Sequence, residues 1–332
     1  MKAWQVHALG EPGTVMELLE TATPTPGPGQ VRVRVRAAAL NFPDVLLCRG
    51  DYQIRPELPF TPGVELCGEV DALGEGVTGF TLGDRVIGNP VLPHGSLAEF
   101  ALAQAADLFP APDALDDAQA SALHIAYQTG WFGLHRRARL QAGETLLVHA
   151  AAGGVGSAAV QLGKAAGARV VAVVGGPAKA EVARQLGADV VIDRTDAGGS
   201  ATDLVRAIKE ATGGRGADVV YDPVGGDAYT ASARTVAFEG RILVVGFAGG
   251  TVPAPALNHA LVKNYSIVGL HWGLYKQYAP AEIATAHAEL SKLAATGAIA
   301  PLIGGRLPLV QAPEGLTRLG AGDSVGRLVV LP

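Results

Sequence analysis

Gly153, Gly154 and Gly156 follow directly on an apolar run, Leu146-Leu147-Val148. They open a stretch whose apolar residues, Val155, Ala158, Ala159, Leu162 and Ala166, recur at helical spacing. Strand, glycine-dense turn and helix start together form the context in which a main chain can approach a pyrophosphate. Gly153 gives the backbone room beside the phosphates, and Gly156 lets the helix pack on the strand. Ala152, Gly154 and Val155 complete a turn whose helix N-terminus offers N–H groups and a positive dipole end. The chemistry implied is dinucleotide binding, with hydride transfer as the reaction such a cofactor brings. The fingerprint's first glycine position is held by Ala151.

The next strand decides between the two nicotinamide dinucleotides. NAD sites place an acid about 20 residues on, against the ribose hydroxyls. Here that strand ends in Gly175-Gly176-Pro177-Ala178-Lys179, with no carboxylate. The glycines leave space for a phosphate, and Lys179 and Arg194 are the bases expected to pair with it. NADPH is therefore the expected cofactor.

Regular alternation surrounds this turn. Strands are predicted at Thr145–His149, Ala168–Val174, Val190–Asp193, Asp218–Tyr221, Arg241–Val245 and Ser266–Leu270. Helices are predicted at Val155–Ala166, Pro177–Leu186, Thr202–Ala211 and Asp227–Phe238, which makes repeated βαβ units and a parallel sheet. Before it, residues 118–134 read as a helix interrupted at Gly130. The first 120 or so residues read as short strands and turns, with strand candidates at Val64–Leu73 and Asp84–Ile87. Val31 to Arg36 alternates strictly, placing Arg32, Arg34 and Arg36 on one solvated strand face. Residues 195–202 read as a loop, Pro280–Ala295 as an amphipathic helix and 326–331 as a closing strand.

Composition bounds the rest. At 332 residues the chain is long enough for two domains, and 48% hydrophobic residues supply their cores. A net charge of −5 argues against a nucleic-acid partner. Two cysteines, Cys48 and Cys67, make no disulfide framework. No apolar run reaches 18 residues and no leader pattern opens the chain, so no membrane partner and a cytoplasmic location are expected.

Across nearly its whole length the sequence resembles the medium-chain dehydrogenase/reductase superfamily, in its zinc-free quinone oxidoreductase (zeta-crystallin-like) branch. The carrying motifs are Ala39-Leu40-Asn41-Phe42-Pro43-Asp44, Pro59-Phe60-Thr61-Pro62-Gly63-Val64-Glu65, Gly83-Asp84-Arg85-Val86, Gly95-Ser96-Leu97-Ala98-Glu99-Phe100 and Ala151 to Gly156. The resemblance implies an α/β architecture: a GroES-like β domain, residues 1–122 with 272–332, enclosing a Rossmann doubly wound parallel sheet, residues 123–271. It implies an active site in the cleft between them, and a homodimer formed through the edge strand at Ser266–Leu270. Zinc members carry a cysteine where this chain has Asn41, and Gly-His-Glu where it has Gly63-Val64-Glu65; the four-cysteine structural lobe is absent too. No metal is expected.

Without a Lewis acid, the implied acceptor is already electron-poor: a quinone or an α,β-unsaturated carbonyl. By family position Asn41 and Tyr52 are the expected hydrogen-bond donors to the oxygen that gains charge. Tyr127, Val245, Gly246, Phe247, Leu270, His271 and Trp272 match segments beside the cofactor, and Arg327 matches a base that reaches its phosphates. The expected activity is NADPH-dependent, zinc-free reduction of such small molecules. Rival readings are an enoyl-thioester (acryloyl-CoA type) reductase and a non-catalytic NADPH-binding structural or regulatory protein.

Overall fold

A computed structural model describes all 332 residues, Met1–Pro332. The chain divides into two compact units: Met1–Ile125 with Ala300–Pro332, and Ala126–Ile299. The first unit opens with β1 (Lys2–Val6), α1 (Pro12–Val15) and β2 (Met16–Glu20), the two strands pairing antiparallel. There follow β3 (Gln30–Ala39), α2 (Phe42–Arg49), β4 (Leu66–Leu73), β5 (Arg85–Gly88), β6 (Phe100–Gln104), β7 (Leu108–Pro110) and α3 (Asp117–Ser121). Alternation in β3 buries Val31, Val33 and Val35 and turns the three arginines outward. That face is paired rather than merely solvated. Arg32 and Arg34 reach Asp71 at 2.7 and 3.3 Å, Arg36 reaches Glu69 at 2.8 Å, and both Arg32 and Arg34 lie over the Phe100 ring.

The helix α4 (His124–Trp131) carries the chain into the second unit. It runs through Gly130 without interruption. A Cβ at Gly130 would stand 2.6 Å from Leu162 Cδ1, so the glycine admits a close helix–helix approach instead of breaking the helix. A π-helical turn follows at Phe132–Arg137.

Then come β8 (Thr145–Val148), α5 (Gly154–Ala165), β9 (Arg169–Val174), α6 (Pro177–Gln185), β10 (Val190–Asp193), α7 (Ala201–Ala211), β11 (Ala217–Asp222), α8 (Gly226–Thr235), β12 (Val236–Val244), α9 (Leu257–Lys263) and β13 (Ser266–Gly269). All six strands are parallel, in the order β10-β9-β8-β11-β12-β13. This is the doubly wound dinucleotide-binding order, with its switch point between β8 and β11. Two expected boundaries move. The helix predicted to reach Phe238 stops at Thr235, because Val236 pairs with Ala217 as the first residue of β12. The loop predicted over 195–202 ends early, because Ser200 Oγ accepts the Asp203 N–H at 3.1 Å and starts α7 at Ala201.

The return crossing also differs from the expected 271/272. α10 (Gly273–Tyr278) and α11 (Pro280–Ala295) stay with the second unit. Gln128 Nε2 donates to Ile283 O at 3.3 Å, and Trp131 Nε1 to Glu289 Oε2 at 2.7 Å, while Ile283, Ala286, Leu290 and Ala294 are buried. The chain re-enters the first unit with β14 (Ile303–Pro308), α12 (Ala312–Gly320) and β15 (Arg327–Leu331). There β15 pairs antiparallel with β3, in the order β14-β15-β3-β4-β5-β7, and β6 also pairs with β3. No helix is long and apolar enough to cross a membrane.

One side chain ties several parts of the second unit. Arg241 on β12 meets Glu144 at 2.7 and 2.9 Å and donates to the carbonyls of Ala138, Arg139 and Asp218. Arg241→Met strips one carboxylate and three carbonyls of their donor, a cost of about 2–3 kcal/mol. Scanning calorimetry should show a melting temperature lower by roughly 5–10 °C; a shift within about 1 °C would contradict the assignment.

Candidate active site

The strand–turn–helix of the sequence motif is built by close approach. After β8, Ala150 takes a left-handed conformation at φ 49°, and the Gly153 N–H returns to Ala150 O at 2.8 Å. A Cβ on Gly156 would lie 2.1 Å from Ala150 O and 3.0 Å from Ala151 Cα. Only glycine allows α5 to start there, and the first turn of α5 then presents main-chain N–H groups at the carboxyl end of the sheet. Ala151 and Ala152 are buried under this turn. The residue that needs the unusual backbone is Ala150, one before the position the fingerprint singles out.

The other expected cofactor residues follow the carboxyl ends of neighbouring strands. Gly175 follows β9, and a Cβ there would stand 3.0 Å from Arg194 Nε, so Gly175 and Arg194 are brought together. Lys179 lies in the first turn of α6, half-buried. Asp193 at the end of β10 escaped sequence reasoning. Its Oδ1 accepts the N–H groups of Gly176 and Thr195, at 2.8 and 3.0 Å, and so shapes the Gly175-Gly176 turn.

Val245 N–H donates to Asp222 O, Leu270 N–H to Val244 O, and Phe247 rests against Gly225. Gly246 lies beside Pro223 O, and His271 is exposed. Tyr127 and Trp272 are 1% and 9% exposed, and Trp272 Nε1 donates to Gln128 Oε1 at 3.3 Å. Both side chains pack within the second unit.

Asp222 was also missed. Buried at the end of β11, its Oδ1 accepts from Val224 and Gly225 N–H, holding the turn into α8. His149, just before Ala150, meets Ser232 Oγ at 2.8 Å, and burial holds its pKa below the usual histidine value.

In the first unit the motif residues close on one another. Glu65 is fully buried, and its Oε2 accepts Arg327 Nη2 at 2.7 Å and Asn41 Nδ2 at 2.9 Å. Its Oε1 accepts the Ile125 N–H at 2.7 Å. Burial nevertheless pushes the Glu65 carboxyl above its ordinary range, against the pull of Arg327. Asn41 Nδ2 also donates to Ala39 O at 3.0 Å, and its Oδ1 accepts Arg327 Nη2 at 2.8 Å.

An amide carries two hydrogens, and both of Asn41's are engaged within the protein, by Ala39 O and Glu65 Oε2, so Asn41 organises the cluster. Arg327 is 6% exposed, and its Nη2 answers the Glu65 carboxylate.

Asp44 is the group this cluster adds. Fully buried, it accepts Asn41 N–H at 2.8 Å and Gly63 N–H at 3.0 Å, joining the start of α2 to the turn that carries Glu65. The Asn41…Asp44 spacing is a capping-box signal visible in sequence. Burial pushes the Asp44 carboxyl up to about 7. Tyr52, half-buried beyond the end of α2, has its phenol pKa raised by burial and by the nearby Asp44 charge. The phenol therefore keeps its proton at neutral pH. The Gly63 turn is stapled by Ser96 N–H to Gly63 O and Ser96 Oγ to Glu65 O; a Cβ on Gly63 would lie 2.4 Å from Ser96 Oγ.

Asn41 and Val64 offer neither thiolate nor imidazole, and the Glu65 carboxylate is held by Arg327.

Residues 27–113 match the alcohol dehydrogenase GroES-like domain, and residues 154–291 the zinc-binding dehydrogenase family. The chain is 36% identical over 292 residues to quinone oxidoreductase-like protein 2 of Bos taurus, covering 88% of this chain and 82% of that one. It is 41% identical over 246 residues to the quinone oxidoreductase-like protein 2 homolog of Nematostella vectensis, covering 74% of this chain but 65% of that protein, just under two thirds. A mycobacterial protein solved in complex with NADPH superposes with a TM-score of 0.92, at 32% identity over the whole of both chains.

Two outcomes follow from the geometry. Gly156→Ala forces the new methyl into the Ala150 carbonyl, so affinity for a reduced nicotinamide dinucleotide should fall at least about tenfold, read by fluorescence titration; unchanged affinity would refute the close approach.

Asp44 binds its proton more tightly folded than unfolded, so its ionisation destabilises the fold as pH rises from about 4 to about 7. The stability of the wild type relative to Asp44→Asn should therefore decline over that window, by about 4 kcal/mol at most. Denaturant titrations at a series of pH values measure it, and a flat or rising difference would contradict the assignment.

Proposed function

The chain belongs to the medium-chain dehydrogenase/reductase superfamily, in its quinone oxidoreductase branch, and on that footing we propose that it is an NADPH-dependent reductase of quinones or related conjugated carbonyls that works without zinc. The observation that carries the reading is the turn after β9. Gly175 and Gly176 leave it without a side chain, Arg194 lies against it, and Lys179 stands in the first turn of the following helix. A ribose bearing a phosphate suits this corner better than one bearing a hydroxyl.

NADPH supplies hydride when bound. Gly153, Gly154 and the first turn of α5 would hold its pyrophosphate, and Gly175, Lys179 and Arg194 its extra phosphate. The main chain at Val245–Phe247 and at Leu270–His271 would border the nicotinamide side. Tyr52, kept protonated by burial, donates a hydrogen bond to the carbonyl oxygen that gains charge, and can pass it a proton. The Asn41–Glu65–Arg327 cluster and Asp44 act one step back, fixing α2 and the segment that leads to Tyr52. A quinone or enone needs no Lewis acid, which suits positions that hold Asn41 and Val64.

The open edge of the six-stranded sheet supports a homodimer. β13 has one neighbour only, and Ser266, Ile267 and Gly269 are exposed along it. Light scattering should return twice the chain mass.

The test mixes the protein with NADPH and a panel of 1,2- and 1,4-quinones, enones and enoyl-CoA thioesters, following the absorbance of the reduced nicotinamide. Quinone turnover by protein with less than stoichiometric zinc is the expected result. Turnover of enoyl-CoA alone would assign the other acceptor, and NADPH binding without turnover would make the protein a non-catalytic binder. The double variant Lys179→Glu/Arg194→Glu should lower kcat/KM for NADPH at least about tenfold and spare NADH; an unchanged preference would refute the phosphate corner.

A further inference from the structure

We propose that the amino end of the six-stranded sheet carries a second ligand site, for a nucleoside bearing one or two phosphates, distinct from the dinucleotide end. A cavity of about 310 Å³ opens there, and its lining includes Lys209, Arg215, Arg234, Lys263 and Phe238. Lys209 and Arg234 sit in the last turns of α7 and α8, Lys263 ends α9, and Arg215 lies in the loop before β11. Four cations and no acid line this space, on a chain whose net charge is −5.

Only part of that charge is answered. Arg215 is paired with Asp218, and Lys263 Nζ donates to Ala233 O at 2.9 Å and Val236 O at 3.4 Å, at the end of α8. Lys209 and Arg234 have no carboxylate partner, and burial, with the Lys209 charge added, holds the Lys263 ammonium pKa below its ordinary value. A concave surface of one sign focuses field and gathers counter-ions. Arginine and lysine at this density suit phosphate oxygens.

Phe238 adds the second half of the ligand's description. It is 70% exposed on β12, beside the cations. An aromatic ring left open to water at the rim of a charged cavity offers a stacking face for a planar base. The cavity's size is at the lower limit for small-molecule sites, which suits a mononucleotide rather than a dinucleotide.

The site is also not the cofactor's. Gly216 and Val236 mark the entry of β11 and β12, whereas Asp222 and Val244 mark their exit. Six residues of β11, about 20 Å at ~3.3 Å each, separate the two ends.

Calorimetric titration of the full chain with AMP, ADP, pyrophosphate and adenosine tests the proposal, alongside the variants Lys209→Glu/Arg234→Glu and Phe238→Ala. The expected pattern has three parts. AMP or ADP binds the wild type, and the charge-reversed variant weakens this at least about tenfold while its NADPH affinity and melting temperature stay unchanged. Phe238→Ala weakens AMP about tenfold and leaves pyrophosphate unaffected. Adenosine alone binds far more weakly than AMP.

The proposal is overturned if the charge-reversed variant binds AMP and ADP like the wild type. It is equally overturned if nucleotide and NADPH affinities fall together, which would mean a shared site. Pyrophosphate binding as tight as that of ADP and indifferent to Phe238→Ala would overturn the nucleoside assignment.

Discussion

A carboxylate with no exposed surface must be answered, and Glu65 is answered by Arg327, 262 residues further along the chain. Removing one partner of such a pair is far more costly than the pair's net contribution to stability. The pair therefore acts less as a source of stability than as a condition on assembly. The first unit is complete only when β15 has returned to lie beside β3. Asn41 then shares its amide between Ala39 O and Glu65 and receives Arg327, so the start of α2 is held by the same charge balance. Asp44, with main-chain N–H groups as its donors, couples α2 to the Gly63 turn.

The second unit rests on sterics where the first rests on charge. The approach of Gly156 to Ala150 sets where α5 begins, and Ala150 accepts a left-handed backbone for it, a conformation that costs an L-residue roughly 1–2 kcal/mol. Around this point the loops after the strands are braced by carboxylates: half-buried Asp193 under the Gly175-Gly176 turn, buried Asp222 under Val224 and Gly225. Each gives a glycine-rich segment, which would otherwise be loose, one defined shape.

One parallel sheet thus carries two ends of different character. At the carboxyl ends of the strands, backbone N–H groups and glycines dominate, which suits a ligand that must lie close to the main chain. At the amino ends, long cationic side chains surround an exposed ring. Helix α8 spans the distance, beginning at the Asp222 turn and ending under Lys263.

The sheet, its helices and the dinucleotide turn were legible in the sequence, because each is written within a short window. Alternation, helical spacing and a glycine whose neighbours leave no room for a Cβ are local facts; the helix at 280–295 and the strand at 190–193 needed nothing else. The site was legible only in part. Asn41, Tyr52 and Arg327 could be picked out, but not that Asn41's two amide hydrogens are already engaged or that Arg327 is buried against Glu65.

Gly130 read as a break because a glycine's intrinsic preference is visible, whereas the Leu162 methyl that requires it lies on another helix. The return boundary moved for the same reason: α11 is amphipathic in any context, but which core receives its apolar face depends on where α4 lies. Residue types and their spacing along the chain therefore determined which elements form and what cofactor chemistry they suit. Which donors remain free, and which charges cancel, was decided by contacts between residues far apart in sequence, since hydrogen bonds and ion pairs depend on distance in space.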